Sequence, residues 1–393
     1  MDNAPAQPPR RVRRPATHGP GPRSPVRGTL TSLDQLAERL PSLHITEAMR
    51  QVVRRYPFAA TPYYLSLIEE PSPADPIFRQ CIPDPAELVH SGEVGSDELK
   101  ESSTYAPVRG LIHRYPDRVV ALVAATCPMY CRHCTRKRLV GRPQYQPSPA
   151  ELEGQVEYVR AHPQIKEVIL SGGDPLTLST DRLDEVIAGF RSVPTVQMIR
   201  VGTRAPVTLP ARVDGDLCTM LERHHPVWVN TQFNHPREVT PGAAAACDRL
   251  LRHGIPVGNQ AVLLRGVNDS PEIMEDLCRA LLRIRVRPYY LFQCDPVAGV
   301  EHFRTPVSRG VRIIEHLYRS VGGLGVPRFA VDAADGGGKV PIPPTYVQGC
   351  ADGRLVLRNF EGKTVTYPDG STGCSAESAE HPADPRPAGP RRT

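Results

Sequence analysis

The stretch Arg118–Cys134 reads R-V-V-A-L-V-A-A-T-C-P-M-Y-C-R-H-C, and it decides the fold. Its first half is apolar and β-branched, the mark of a strand buried on both faces. Its second half is a loop with the spacing C-x3-C-x2-C at Cys127, Cys131 and Cys134. Three thiolates on one such loop can hold three irons of a [4Fe–4S] cluster and leave the fourth iron open to a small chelating ligand. The competing readings are zinc or three unrelated cysteines. Zinc normally takes four ligands in paired knuckles, His133 sits awkwardly between two of the cysteines, and no second C-x2-C occurs in the chain.

Working outward, further apolar, β-branched runs lie at 167–170, 196–202, 227–233, 256–264 and 287–294. Helix-period stretches such as 152–160, 183–191, 244–252 and 273–284 separate most of them. Six strand–helix units in a row predict a parallel sheet, as a barrel or a doubly wound sheet, with its chemistry at the strand ends. The run after the cysteine loop ends in Ser171-Gly172-Gly173-Asp174. A later strand-like run, F-A-V-D-A-A-D-G-G-G-K, brings three glycines and Lys339, one of only five lysines. Glycine lets a backbone approach a cofactor closely, and a lysine there can anchor pyridoxal phosphate (PLP). A surface turn ending in a solvated lysine is the plain alternative, but the other four lysines lie in the cysteine loop or in polar settings.

Residues 31–108 read as helical, with Thr31, Ser32 and Asp34 as caps and a second helix over 45–56. The chain has 393 residues and a formal charge of +6. Residues 1–30 carry six Arg and one acid, Asp2, so nearly all of that charge sits on a Pro- and Arg-rich segment read as a disordered arm. A nearly neutral body argues against nucleic acid as a partner. Residues 379–393 read as a disordered tail. No apolar run is long enough to span a bilayer and no signal peptide is apparent, so the expectation is a cytoplasmic protein without a membrane partner or a disulfide framework. The cysteines at 81, 218, 247, 278, 294, 350 and 374 look isolated.

From 60 to 366 the chain resembles the lysine 2,3-aminomutases, a family of radical S-adenosylmethionine (SAM) enzymes. The matching segments include T-P-Y-Y-L-S-L-I (61–68), H-R-Y-P-D-R (113–118), C-P-M-Y-C-R-H-C-T-R-K-R (127–138), H-P-V-W-V-N-T (225–231), V-L-L-R-G-V-N-D (262–269), I-R-V-R-P-Y-Y (284–290), G-V-E-H-F-R-T-P-V-S (299–308) and L-R-N-F-E-G (357–362). The resemblance implies an α/β fold: a partial (β/α)6 TIM-like radical SAM barrel over 109–335, preceded by a helical region over 31–108 and followed by a PLP-lysine segment over 336–378. It implies a [4Fe–4S] cluster on Cys127, Cys131 and Cys134. It implies SAM against Ser171, Gly172, Gly173, Asp174 and Gln260, and PLP on Lys339 with Arg114, Tyr115, Arg118, Tyr289 and Tyr290. The substrate would be a small molecule, a basic L-amino acid, its carboxylate on Arg136 and a distal cation on Asp295 and Asp332. The reaction implied is transfer of an α-amino group to the β-carbon by an isomerase that needs an external one-electron reductant of flavodoxin or ferredoxin type. A homo-oligomer is the default assembly.

Departures from the family pattern matter for the substrate. D-A-P-G-G-G-G-K becomes D-A-A-D-G-G-G-K, placing an extra acid, Asp335, beside the glycines, and Ala298 follows Asp295 as a small side chain. Two acids without a cation between them would be costly, so lysine is the first expectation. L-Arginine, as a source of β-arginine for antibiotic biosynthesis, is the second, because Asp335 and the room at Ala298 would suit a guanidinium. A radical SAM modifier of a protein lysine is a further alternative, and an RNA-binding module using the basic arm is the non-enzyme one. The family's N-T-H-F-N-H reads here N-T-Q-F-N-H, with Gln232. Only Cys374 remains of a C-terminal zinc-binding cysteine cluster, and its partner position reads Asp269-Ser270, so no structural zinc is expected.

Overall fold

Short capped helices open the chain. In the computed structural model, which describes residues 28–368 apart from 90, 91, 93, 94, 96, 98 and 352, α1 (Leu33–Arg39) starts in a capping box between Ser32 and Gln35. Thr46 caps α2 (Glu47–Arg55), Thr61 caps α3 (Pro62–Leu65) and Asp75 caps α4 (Pro76–Cys81). Each cap oxygen accepts from an N-terminal backbone N–H that has no helical partner. The expected arm and tail fall outside the described residues, except that Leu30 forms a bridge with Ala60. The helical reading fails beyond a 3-10 turn at Pro85–Leu88: no helix occurs among the described residues from 89 to 110.

The barrel follows. β1 (Leu111–Tyr115) and β2 (Arg118–Ala124) form an antiparallel hairpin turning at Pro116-Asp117. Six strand–helix units come next. β2 leads to α5 (Pro149–Ala161). β3 (Glu167–Gly172) leads to α6 (Thr180–Arg191). β4 (Met198–Gly202) leads to α7 (Ala205–Thr208) and α8 (Gly215–Glu222). β5 (Val227–Thr231) leads to α9 (Pro241–Arg252), β6 (Val257–Leu263) to α10 (Pro271–Arg283), and β7 (Arg287–Gln293) to α11 (Val307–Ser320). β8 (Arg328–Ala333) closes the parallel run and β9 (Gly338–Pro341) turns back antiparallel. The strand order is sequential from β1 to β9. That excludes a doubly wound sheet, whose order reverses at a switch point, and leaves a partial (β/α)6 barrel. A separate sheet of β10 (Val347–Ala351), β11 (Arg354–Arg358) and β12 (Thr364–Pro368) ends the described chain.

Strand alternation sorts the residues. Val168, Leu170, Ile199, Val201 and Val229 are fully buried in the core, while Glu167, Ile169, Ser171, Arg200, Gly202 and Asn230 line the lumen. β7 carries an extra residue at Tyr289, where the register against β6 slips from Asn259–Pro288 to Gln260–Tyr290. The bulge lets both Tyr289 and Tyr290 line the lumen. The thiols of Cys81, Cys218, Cys247, Cys278 and Cys294 are buried and free. Cys350 departs from the expectation of isolated cysteines, being disulfide-bonded.

The N-terminal helices are riveted to the barrel by a buried ion cluster. Glu87 accepts from Arg132 at both carboxylate oxygens, 2.8 and 2.5 Å, and pairs with Lys137 at 2.7 Å. The Glu87 and Arg132 side chains are 0% and 1% exposed. Burial opposes the Glu87 charge, but Arg132 and Lys137 outweigh it and hold the carboxyl below its usual range. Glu87→Gln would leave two buried cations short of their counterion. Its expected cost is about 3–5 kcal/mol, read as a fall in thermal midpoint, with Glu47→Gln on the exposed pair with Arg54 as the near-neutral control.

Candidate active site

The cysteine loop leaves β2 at the C-terminal end of the barrel and is tied down along its length. Tyr130 N–H donates to the Ala59 carbonyl at 2.9 Å, Arg132 N–H to Gln80 at 2.9 Å and Gly141 N–H to Ala125 at 2.8 Å. Cys127, Cys131 and Cys134 all face one cavity of about 890 Å³, and all three are free thiols. Burial pushes the Cys127 thiol well up and Cys134 to about 11, so a bound metal must take the place of their protons. Among the described residues no three His, Cys, Asp or Glu gather around a single-ion site. Three thiols spread over one cavity wall suit a cluster that takes one thiolate per iron. Arg204 points its guanidinium at this wall, Nη1 lying 2.9 Å from Cys131 Sγ. Glu238 and Gln80 hold its Nη2, each at 2.6 Å. Sequence reading misses Arg204, which has no motif spacing to mark it.

Ser171–Asp174 adjoins the loop. Gly173 N–H donates to Ala124 at 2.6 Å and Asp174 N–H to Thr126 at 2.8 Å. Gly172 has φ +110°, and a Cβ on Gly173 would run into the Thr126 carbonyl. Only glycine permits this approach, which leaves a bare backbone cradle beside the thiols. Asp174 lines the cavity with the glycines, and its carboxylate also ties the neighbouring loops together. Oδ1 accepts from Thr203 Oγ1 at 2.6 Å and Leu176 N at 2.9 Å, and Oδ2 from Arg204 N at 2.8 Å. Gln260 lines the same cavity. Gln232, the departure from histidine, does so too, with its amide 2.9 Å from His133 Nε2. Burial, Arg204 and Lys137 keep His133 neutral. At the position of the absent zinc-type cysteine, Asp269 and Ser270 have local roles: Asp269 accepts from Gly266 N and Ser270 caps α10.

Lys339 opens the other end of the cavity. Its Nζ is 2.9 Å from each Asp332 oxygen and 4.8 Å from the Phe292 ring centroid. Its backbone N–H donates to Tyr115 Oη at 2.7 Å, and Arg114 Nε donates to the Gly336 carbonyl. These bonds bridge the seam between β1 and β9, which no backbone ladder closes. The Arg118 guanidinium stacks 3.8 Å over the Tyr115 ring. Arg114, Tyr115, Arg118, Tyr289 and Tyr290 therefore line the lumen near Lys339. This set suits PLP: an amine for its carbonyl, guanidinium donors for its phosphate and flat apolar walls for its ring. Sequence reading misses Phe292 as well, because an apolar residue in a strand looks like core. The rival lysine, Lys137, is buried and consumed by Glu87, the Arg132 carbonyl and the Gly299 carbonyl.

The substrate residues divide. Asp295 lines the cavity beside Asp332. Burial first, and Asp332 second, push its carboxyl up to about 7. Arg136 also lines the cavity, but its guanidinium is already gripped by Glu101, Nε to Oε2 at 2.9 Å and Nη2 to Oε1 at 2.6 Å. Asp335 contradicts its expected role. With φ +53° it turns outward, is 85% exposed and pairs with Lys100 at 3.5 Å. Ala298 is not part of the cavity wall either. Neither feature that favoured a guanidinium substrate reaches the site.

Residues 122–277 match the family model of the radical SAM superfamily, and residues 314–385 that of lysine-2,3-aminomutase. The chain is 46% identical over 343 residues to L-lysine 2,3-aminomutase of Clostridium subterminale, covering 87% of this chain and 82% of that protein. The L-lysine 2,3-aminomutase of Fusobacterium nucleatum is 47% identical over 343 residues, covering 87% and 80%. Glutamate 2,3-aminomutase of Clostridioides difficile is 40% identical over 323 residues, covering 82% and 76%.

Proposed function

We propose, on the premise that the chain belongs to the lysine 2,3-aminomutase family of radical SAM isomerases, that it is a PLP-dependent enzyme moving the α-amino group of L-lysine to the β-carbon. One observation carries the choice of lysine. Asp332 grips a primary ammonium, that of Lys339, with both oxygens, and Asp295 faces the same space. Once Lys339 is engaged elsewhere, Asp332 and Asp295 share one space with no cation between them, and a substrate ammonium would restore the balance. Glutamate would bring a third negative charge to it.

When bound, the cluster and SAM supply hydrogen-atom abstraction, and PLP supplies the conjugated system across which nitrogen moves. The chain's own residues do the rest. Arg136 receives the α-carboxylate, while Asp332 and Asp295 hold the far ammonium. A substrate pinned at both ends keeps its β-carbon in one place, which is what a short-lived radical step requires. Ile112, Val120, Ile169, Tyr290 and Phe292 line the space between and keep water and quenchers from it. The electron comes from outside, from a donor of flavodoxin or ferredoxin type. No helix among the described residues is long and apolar enough to cross a membrane.

The test is anaerobic reconstitution with iron, sulfide, PLP and reductant, followed by product analysis on lysine, arginine and glutamate side by side. β-Lysine is the expected product; turnover of glutamate alone would overturn the charge argument. The raised Asp295 adds a pH prediction. Its carboxyl, near 7 in the free protein, is protonated below that pH and then cannot attract the ammonium. PLP on Lys339 would remove the charge that lowers this value, so kcat/KM for lysine should fall as pH drops through about 7 or above, since that ratio reports the free enzyme's groups. Asp295→Asn should flatten this limb and lower kcat/KM across the range.

A further inference from the structure

Leu99 and Glu101 line the cavity, and the described residues around them, 97 and 99–106, are held in place by several contacts. Arg138 pairs with Asp97 at 2.5 Å and Arg136 with Glu101 at 2.6 Å, two residues of the cysteine loop gripping two acids four apart. Asp97 also accepts from the backbone N–H groups of Glu101 at 3.0 Å and Ser102 at 2.9 Å. Tyr105 donates to the Gly336 carbonyl at 3.2 Å, fastening the far end to the glycines before Lys339. Glu101 and Arg136 are nearly buried, their side chains 12% and 19% exposed. Burial opposes the Glu101 charge, yet Arg136 holds its carboxyl below the usual range.

Guanidinium has five N–H donors. Glu101 takes one on Nε and one on Nη2, and Ser171 Oγ accepts one from Nη1 at 3.2 Å. One donor remains on each terminal nitrogen. We propose that Glu101 is a positioning residue for the substrate carboxylate: by gripping one edge of Arg136 it fixes the plane and rotation of the guanidinium, so that the two remaining donors are held ready for an α-carboxylate. The inference rests on the reading of Arg136 as the carboxylate contact. A bidentate carboxylate fixes a guanidinium more firmly than any single bond. Glu101 also offsets the Arg136 charge, so the clamp does not repel the substrate's neighbouring α-ammonium. The site thus recognises an amino-acid carboxylate by hydrogen-bond geometry more than by net charge.

The test compares the reconstituted wild type, Glu101→Gln and Arg136→Gln in binding L-lysine and its decarboxylated analogue, 1,5-diaminopentane, by calorimetry, with KM and kcat for lysine alongside. Glu101→Gln keeps shape and one hydrogen bond but frees the guanidinium to turn. Lysine affinity should fall roughly 10- to 100-fold, KM should rise more than kcat falls, and diamine affinity should stay at the wild-type value. Glu101→Asp, which keeps the charge, should recover part of the loss. A merely structural role would weaken lysine and diamine together and lower the thermal midpoint. Lysine binding as tight as wild type, or tighter, in Glu101→Gln would overturn the proposal and make Glu101 an occupant that substrate displaces. If Arg136→Gln itself leaves the preference for lysine over the diamine intact, the underlying reading of Arg136 fails instead.

Discussion

Lysine turnover should vanish in Lys339→Arg while the fold persists. An arginine keeps the positive charge opposite Asp332 and Asp295, so the ion pair of the wild type survives and the loop from β8 to β9 has no new buried charge to accommodate. What it removes is a neutral amine, because a guanidinium does not lose its proton in proteins. Without that amine PLP has no covalent anchor at this end of the cavity. The expected result is a loss on the order of 10³-fold or more in kcat, equivalent to about 4 kcal/mol of barrier. PLP absorbance should no longer travel with the protein through gel filtration. A variant that retains its PLP and a tenth of its activity would move the anchor to another lysine. Lys137 is the only rival by burial, and it would have to abandon Glu87 and two carbonyl oxygens to serve.

A second large effect is expected at Cys131. Cys131→Ala removes one of three thiols from the cavity wall and leaves the Arg204 guanidinium, 2.9 Å from its sulfur, facing an empty methyl position. With two protein ligands left, a cluster that needs one thiolate per iron should not be retained. Iron per chain and the reduced-cluster spectroscopic signal should both fall to background, and dithionite should no longer drive SAM cleavage. Cys294→Ala is the control. That thiol is likewise free and is the more deeply buried of the two, but it lies outside the cavity wall; its loss should cost stability through a small void and leave iron content unchanged. Full iron loading and SAM cleavage in Cys131→Ala would remove Cys131 from the ligand set.

Both predictions concern residues that short-range sequence patterns single out. Cys127, Cys131 and Cys134 are close in sequence, and so are Gly172 and Gly173. A loop of that length must bring its own residues together whatever surrounds it. The six strand–helix units are legible for a similar reason, since burial on both faces imposes continuous apolar runs on a parallel strand. Strand β1 is hidden because H-R-Y-P-D-R looks like a loop, and its pairing with β2 depends on a partner across a turn. Asp335 is misread from its neighbours because one positive φ reverses where its side chain points.

The sequence by itself determined which short loops carry the candidate site: the cysteine spacing, the glycine cradle and the lysine behind its glycines. It also determined the series of strand–helix units, because strand burial and helix periodicity are local patterns. Tertiary structure alone decided that the strands run in sequential order around a lumen and that Tyr115 and Arg114 bridge the seam to Lys339 and Gly336. It alone decided that Glu101 grips Arg136, that Arg204 reaches Cys131, and that Asp332 faces Lys339 while Asp335 does not. Most of these contacts join residues tens to hundreds of positions apart. No local preference encodes them, because each depends on where two separate strands or loops come to rest.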